Sequence, residues 1–539
     1  FSDAPVSLQE LAKQYQSNFP SPITAAIVNN KLRELTHVLN EDAEVEFLDM
    51  SSEVGMKIYL RSLVFLFVKA CYDIFPNCKV HVEHSLGDGL YCELIREEPL
   101  SEDDVEFIER RMRHLVERDI PIKKKKLPLQ DALAIFQAAG MEDKVRVLKY
   151  RKSDFLNVYE LDGTHDYFYG YMLPSTGYLK WFRLKFYLPG IILQHPNRAN
   201  PTHVAKYHER PKLASIFRES DRWAHILGVP DVGALNDHIV SGRSGEIIRI
   251  AEALHEKKIA QIADLIANER ERMRIILIAG PSSSGKTTFA QRLIVQLRVN
   301  GLRPISISLD DYYIDRDKTP LGEDGKPDFE ALEAIDLRLF NQHLAKLIQG
   351  KEVIMPRFNF HTGKREYRDT PIKIEKDQPI IIEGIHGLNE RLTASIPKEN
   401  KFKIYVSALT QISIDNHNRI STTDTRLLRR LVRDSWSRSA DAKRTISMWP
   451  KVLRGAEANI FPYQEEADVM FNSALVYEIA VLKKYAEPLL KEINPQDPEY
   501  ILAKHLLKFL EYFVPIEDEK DIPSTSIIRE FIGDSCFNC

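Results

Sequence analysis

The chain has 539 residues with 44% hydrophobic and 28% charged side chains, too long for one core, which predicts two to four globular domains. A net charge of −4 gives no bulk attraction to nucleic acid or an anionic membrane, so any such contact must come from a local patch. No apolar run reaches the length of a membrane span, since Arg61 and Lys69 interrupt the stretch 60–70, and five cysteines predict a reducing compartment rather than a disulfide scaffold.

Residues 1–58 read as a small mixed domain, with a short amphipathic helix over 6–15 and strands at 25–30 and 45–48. The stretch 57–75 is helical and mostly apolar, and strands follow at 78–84 and 89–94 around the turn Gly87-Asp88-Gly89. A capping-box pattern at Ser101 opens a helix that runs to Arg118. His81 and His84, spaced i, i+3, fall on opposite faces of their strand and read as packed or exposed side chains, not a metal pair. Lys123, Lys124, Lys125 and Lys126, with aromatics nearby, either offer RNA phosphates a contact or form a solvated charge run between helix and loop. Aromatic-rich alternating segments follow at 166–171 and 181–187. The run 241–245 marks a boundary, and 246–273 reads as a long, charged amphipathic helix connecting two halves. From Arg274 onward strands and helices alternate, the signature of a parallel sheet with helices on both faces. A last helix at 499–513 precedes an acidic tail, 516–539, whose Cys536 and Cys539 form a lone C-x-x-C with no second pair at zinc spacing; a frayed end is expected.

The densest chemistry lies at 280–288, G-P-S-S-S-G-K-T-T, which fits G-x-x-x-x-G-K-[ST]. In such a loop backbone N–H groups cradle a nucleotide's phosphates and the lysine, here Lys286, neutralises them. The loop residues are Gly280, Ser282, Ser283, Ser284, Gly285, Lys286, Thr287 and Thr288. An apolar run at 274–279 precedes them, and Phe289, Leu293, Ile294 and Leu297 follow at helical spacing, so the phosphates meet a helix N-terminus. Thr287 is positioned to give Mg²⁺ a hydroxyl ligand. A strand at 304–309 delivers Asp310 to the carboxyl edge of the sheet, where such folds bind ligands. There it orients and deprotonates a substrate hydroxyl and helps organise Mg²⁺, unless it is one of two acids in a solvated loop. A strand at 379–384 brings Glu383 to the same edge as a further Mg²⁺ group. Arg426, Arg429 or Arg430, and Arg433 share one helix face, and 419–454 holds eight Arg and two Lys against three Asp, a local +7. That face is either a guanidinium lid over the transferring phosphoryl group or a solvated surface.

These ordered motifs, together with S-L-D-D-Y-Y at 308–313, P-R-F-N-F at 356–360, I-E-G at 382–384 and the segments 328–336 and 467–471, make 274–480 resemble the uridine kinase and phosphoribulokinase group of P-loop kinases. The resemblance implies a kinase domain over 274–515 that uses ATP and Mg²⁺, with Asp310 as the hydroxyl-activating aspartate. It implies a nucleoside pocket lined by Tyr313, Phe329, Glu330, Phe358, Phe360 and Arg365, and a lid containing Arg426 and Arg429. Uridine kinases carry a base-contacting histidine where this chain has T-G-K-R at 362–365; His361 is out of register, and Phe358 stands in place of a tyrosine. Pyrimidine specificity is therefore not implied. Residues 1 to about 225 resemble the N-terminal region of threonyl-tRNA synthetases, a TGS-like domain over 1–58 and an editing-type domain over 59–240. The metal-binding positions of that editing site fall on Arg61, Phe65, Leu173 and Gly177, none of which ligates zinc, so editing chemistry is expected to be absent. The expected protein is an α/β kinase phosphorylating a hydroxyl of a nucleoside-like substrate, preceded by two α+β domains. It is expected to be cytoplasmic, to self-associate and to make no membrane contact. The alternatives are a nucleotide-regulated RNA-binding protein and a kinase acting on a sugar phosphate.

Overall fold

The computed structural model describes residues 5–322, 325, 327–359, 362–375 and 377–537. In the first half the strands Ile23–Val28, Lys31–Glu34 and Val45–Asp49 form an antiparallel sheet. The helix Leu8–Tyr15 covers it and starts on a reciprocal capping box between Ser7 and Glu10. The helix Glu53–Ile74 is buried along most of its length, packed against that sheet and against a four-stranded antiparallel one. The order of the latter is Arg183–Tyr187, Gly190–Gln194, Gly89–Ile95, Lys79–Ser85. Ser101 caps the helix Glu102–Glu117, with Asp104 closing the box.

The lysine run is a strand, not a helix-to-loop link. Lys123–Lys126 lie within Ile122–Pro128, paired antiparallel to Phe155–Leu161, and two of the four charges are neutralised across it: Lys124 reaches Glu34 at 2.9 Å and Lys125 reaches Glu160 at 2.5 Å. His84 is packed, its ring stacked 3.7 Å from that of Phe217 beyond a bulge in its strand. The segments holding Arg61, Phe65 and Leu173 do meet, with Leu173 N donating to Ser62 Oγ at 2.9 Å and Arg61 Nη1 to the Tyr171 carbonyl at 2.8 Å, whereas Gly177 N donates to Asp119 Oδ1 at 2.9 Å. Phe65 and Leu173 are fully buried there, so apolar packing fills the place.

The second half is built on a five-stranded parallel sheet in the order Ile305–Ser308, Ile380–Glu383, Ile275–Ala279, Lys401–Ser407, Val469–Asn472. Its central strand alternates faces: Ile276 and Ile278 enter one core with Phe289, Leu293 and Leu428, while Ile275 and Leu277 enter another with Phe340, Leu344 and Leu347. Helices therefore cover both faces, as the alternation of strands and helices predicts. The helix Ser244–Asn268 lies along the helix Lys286–Val299 and is tied to it by Arg292–Glu256 at 2.6 Å and Asn300–Asp264 at 2.8 Å.

The two halves share one core, which runs from Ala132 and Phe136 through Tyr512 and Phe513 to Ile532. Buried ion pairs cross the junction. Lys144 Nζ, with no exposed surface, lies 2.9 Å from Asp166 Oδ1 and 2.7 Å from Asp415 Oδ1. His417 Nδ1 adds a 2.7 Å contact to Asp166 Oδ2. Burial pushes the Asp166 carboxyl up, but Lys144 and His417 outweigh it and hold the pKa down at about 2. Lys57 and His505 converge on Asp424 at 3.6 and 2.9 Å. Among the described residues no helix is long and apolar enough to cross a membrane.

Candidate active site

The loop 280–285 leaves the buried strand Ile275–Ala279 and enters the helix Lys286–Val299. A Cβ at Gly280 would stand 1.9 Å from the Val406 carbonyl oxygen, so only glycine allows the loop to turn against the neighbouring strand. Gly285 has φ +81°, the left-handed conformation that glycine adopts freely, and it aims the first helical N–H groups into the loop's concavity. Lys286 reaches back to the Pro281 carbonyl at 3.3 Å. Burial lowers the pKa of this ammonium, opposed by the charges of Glu383, Glu530 and Asp310.

The arginine face is not a lid. The helix Thr422–Ser437 is buried on nearly every side, because Leu427, Leu428, Leu431 and Val432 pack one way and the arginines pack the other, onto the loop. Arg426 Nε donates to the Ser282 carbonyl at 2.9 Å, and its guanidinium lies over Trp449. Arg430 Nη1 donates to Ser282 Oγ at 2.9 Å. Arg429, fully buried, donates to the Ser283 carbonyl at 3.4 Å and is anchored by Glu478 (Nε to Oε2, 3.1 Å) and by the Ser473 carbonyl. These arginines hold the loop's shape through the Ser282 and Ser283 carbonyls and the Ser282 hydroxyl; Arg433 pairs with Asp434 at 2.8 Å.

The expected Mg²⁺ groups do converge. Thr287 Oγ1 lies 3.2 and 3.3 Å from the two carboxylate oxygens of Glu383. Burial raises the Glu383 pKa to about 7, with Asp310 and Glu530 adding to it and Lys286 opposing. Asp310 opens to the cleft at the end of its strand, its N–H donating to Ser308 Oγ at 3.3 Å. Desolvation raises its pKa, against the pull of Lys286 and of Arg438, a residue the helical spacing did not single out. Among the described residues no group of three or more His, Cys, Asp or Glu side chains forms a metal cage. The residues present suit an ATP–Mg²⁺ complex nonetheless. Mg²⁺ takes one or two protein ligands alongside phosphate oxygens, which Thr287 and Glu383 supply. Among the described residues the hydroxyls of Ser283 and Ser284 and Nη2 of Arg426 are buried with no hydrogen-bond partner, the donor set that a polyphosphate satisfies.

Beside Asp310, Tyr313 meets Phe329 and Phe358 edge to face at 6.5 and 5.6 Å, and its hydroxyl donates to the Phe329 carbonyl at 3.2 Å. Glu330 completes this wall; burial raises its pKa, Arg430 and Lys286 lower it, and Asp310 raises it. Arg365 is a brace rather than a ligand group: its guanidinium pairs with Asp336 at 2.9 Å and donates to the carbonyls of Tyr312 and Tyr313, fixing the turn that carries Asp310. Phe360 and His361 lie outside the described residues.

The structure adds one group at the loop that the sequence pattern assigned to the acidic tail. On the short helix Arg529–Ile532, Glu530 Oε2 accepts from Thr288 N at 3.2 Å and Thr288 Oγ1 at 2.8 Å. The apolar cluster Ile527, Ile528, Phe531 and Ile532 around it is the signal that this segment is buried.

Residues 275–480 match the model of the Phosphoribulokinase / Uridine kinase family, so the second half carries a P-loop kinase domain. The first half is similar to threonine–tRNA ligases. That of Fusobacterium nucleatum is 30% identical over 254 residues, 45% of this chain and 38% of the ligase. That of Marinobacter nauticus is 28% identical over 190 residues, 33% of this chain and 28% of the ligase. The chain thus spans about a third of the length of these curated relatives. Among solved structures, a possible uridine kinase from Bacillus stearothermophilus is 18% identical, covering 39% of this chain and 97% of that one at a TM-score of 0.26.

Proposed function

We propose that the chain is an ATP-dependent kinase that phosphorylates a hydroxyl of a nucleoside-like acceptor. One observation carries the reading: Asp310 shares a cleft edge with Lys286 and Glu383 on one side and with the aromatic wall of Tyr313, Phe329 and Phe358 on the other. Lys286 and the loop N–H groups hold and neutralise the phosphates, and Thr287 with Glu383 holds Mg²⁺. When bound, the metal supplies charge neutralisation at the phosphoryl oxygens. Asp310 accepts a hydrogen bond from the acceptor hydroxyl, orients its oxygen and takes the proton as the new O–P bond forms; burial raises its pKa, which makes it a stronger base than an exposed carboxylate. Arg426, Arg429 and Arg430 act through the loop by fixing the Ser282 and Ser283 carbonyls, so the N–H groups on the other side point inward before substrate arrives. Flat aromatic faces favour stacking a base over holding a sugar phosphate.

The test is a coupled ADP-release screen of the full chain against nucleosides and sugar phosphates. Turnover with a nucleoside is the expected result; turnover confined to sugar phosphates would reassign the acceptor, and ATP binding without turnover on either would remove the kinase reading.

A further inference from the structure

Thr288 is the third residue of the helix Lys286–Val299, within the first turn, where N–H groups lack a helical acceptor and anions bind. A carboxylate of the chain already stands there. Glu530, 8% exposed, accepts from both donors of Thr288, and its charge is felt by Lys286 and Glu383. Two neighbours in the same segment pack against Gly285 of the loop and against the Arg429 that braces it. The Phe531 ring lies 4.9 Å from the Arg429 guanidinium, and Ile527 Cγ2 stands 2.6 Å from where a Cβ of Gly285 would be. The segment is pinned from its far side: Trp436 Nε1 donates to the Phe531 carbonyl at 2.6 Å, and Arg529 holds Glu519 at 3.2 Å and the Ile522 carbonyl at 3.1 Å.

We propose that residues 526–532 form an intramolecular stand-in for the nucleotide, with Glu530 on the donors that a phosphate group takes, so that ATP binds by displacing it. This rests on the reading of 280–288 as a nucleotide loop. Ile527, Ile528 and Phe531 are fully buried, so the group that must give way is the Glu530 carboxylate. Glu530 is held by Thr288 and favoured by the charge of Lys286, but its charge opposes that of Glu383, and a phosphate arriving with Mg²⁺ would relieve that like-charge opposition by metal coordination. The pins at Arg529 and the Phe531 carbonyl keep the segment beside the site for rebinding. A permanent helix-capping carboxylate is the competing description, and the two differ in what ATP does to the segment.

The experiment uses the full chain. Hydrogen–deuterium exchange over 526–532 is followed with and without saturating MgATP, and the ATP Kd is measured by calorimetry for wild type and Glu530→Gln. The expected results are faster exchange in the segment when ATP is bound and an ATP Kd about tenfold lower in Glu530→Gln, the scale of one charge-assisted hydrogen bond. ATP binding to wild type with the segment equally or better protected overturns the proposal while leaving the nucleotide reading intact. Failure of ATP to bind both proteins overturns the nucleotide reading and this proposal with it. If Glu530→Gln does not fold, the wild-type exchange measurement alone decides.

Discussion

Replacing Lys144 by methionine keeps the length of a side chain that has no exposed surface and removes the cation from between Asp166 and Asp415. Both carboxylates lie within hydrogen-bonding distance of the same nitrogen, so they are left facing each other at about 5 Å, where two like charges repel by about 3 kcal/mol at an effective dielectric of about 20. Breaking a buried ion pair on one side costs about 3–5 kcal/mol in general, so the two routes agree. His417 remains on Asp166 and keeps the loss at the lower end, about 3 kcal/mol of a native stability on the order of 5–15 kcal/mol. The assay is urea unfolding followed by circular dichroism and tryptophan fluorescence, with the shift in midpoint multiplied by m. Lowering the pH toward 5 should return part of the loss, since one carboxylate then takes a proton. A change under about 1 kcal/mol at pH 7 would show that the junction tolerates the uncompensated charge and that the cluster does not hold the halves together.

Asp310→Asn is expected to lower kcat by about 10²–10⁴-fold with ATP affinity preserved, and near-wild-type turnover would remove its role as base. Arg429→Ala strands Glu478 and unties the Ser283 carbonyl, so it should cost about 3–5 kcal/mol in unfolding free energy as well as activity; a kcat loss with unchanged stability would argue for a group that touches the phosphates instead. The acid limb of stability should carry the Asp166 signature. Its folded pKa of about 2 lies below the ordinary 3.8, so its contribution is complete above the ordinary value and is lost as the pH falls through about 2. The amount is about 2 kcal/mol, and Asp166→Asn should flatten that part of the pH–stability curve.

The loop and the parallel sheet were legible because their signals are local: a glycine spacing between an apolar run and a helical repeat, and strands ending on Asp310 and Glu383. The failures were tertiary. Arg426, Arg429 and Arg430 do share a face, but periodicity is silent on whether that face meets solvent, substrate or the loop; the partner of Arg429 is Glu478, 49 residues away. Lys123–Lys126 lack strand propensity, yet pairing with Phe155–Leu161 and the carboxylates of Glu34 and Glu160 overrides it. Arg365 was placed in the pocket by resemblance, and only the coordinates show its donors committed to Asp336 and the 312–313 carbonyls. Glu530 lay in a segment that net charge labelled a tail, because an acidic residue beside buried isoleucines looks the same whether it faces water or a helix terminus.

The continuous core from Ala132 to Ile532 governs how this chain can be taken apart. A cut between the halves leaves part of that core on each piece, so either half made alone would carry a bare greasy face and be recovered as aggregate or in the grip of chaperones. Making both pieces in the same cell should restore solubility, each serving as the other's missing wall.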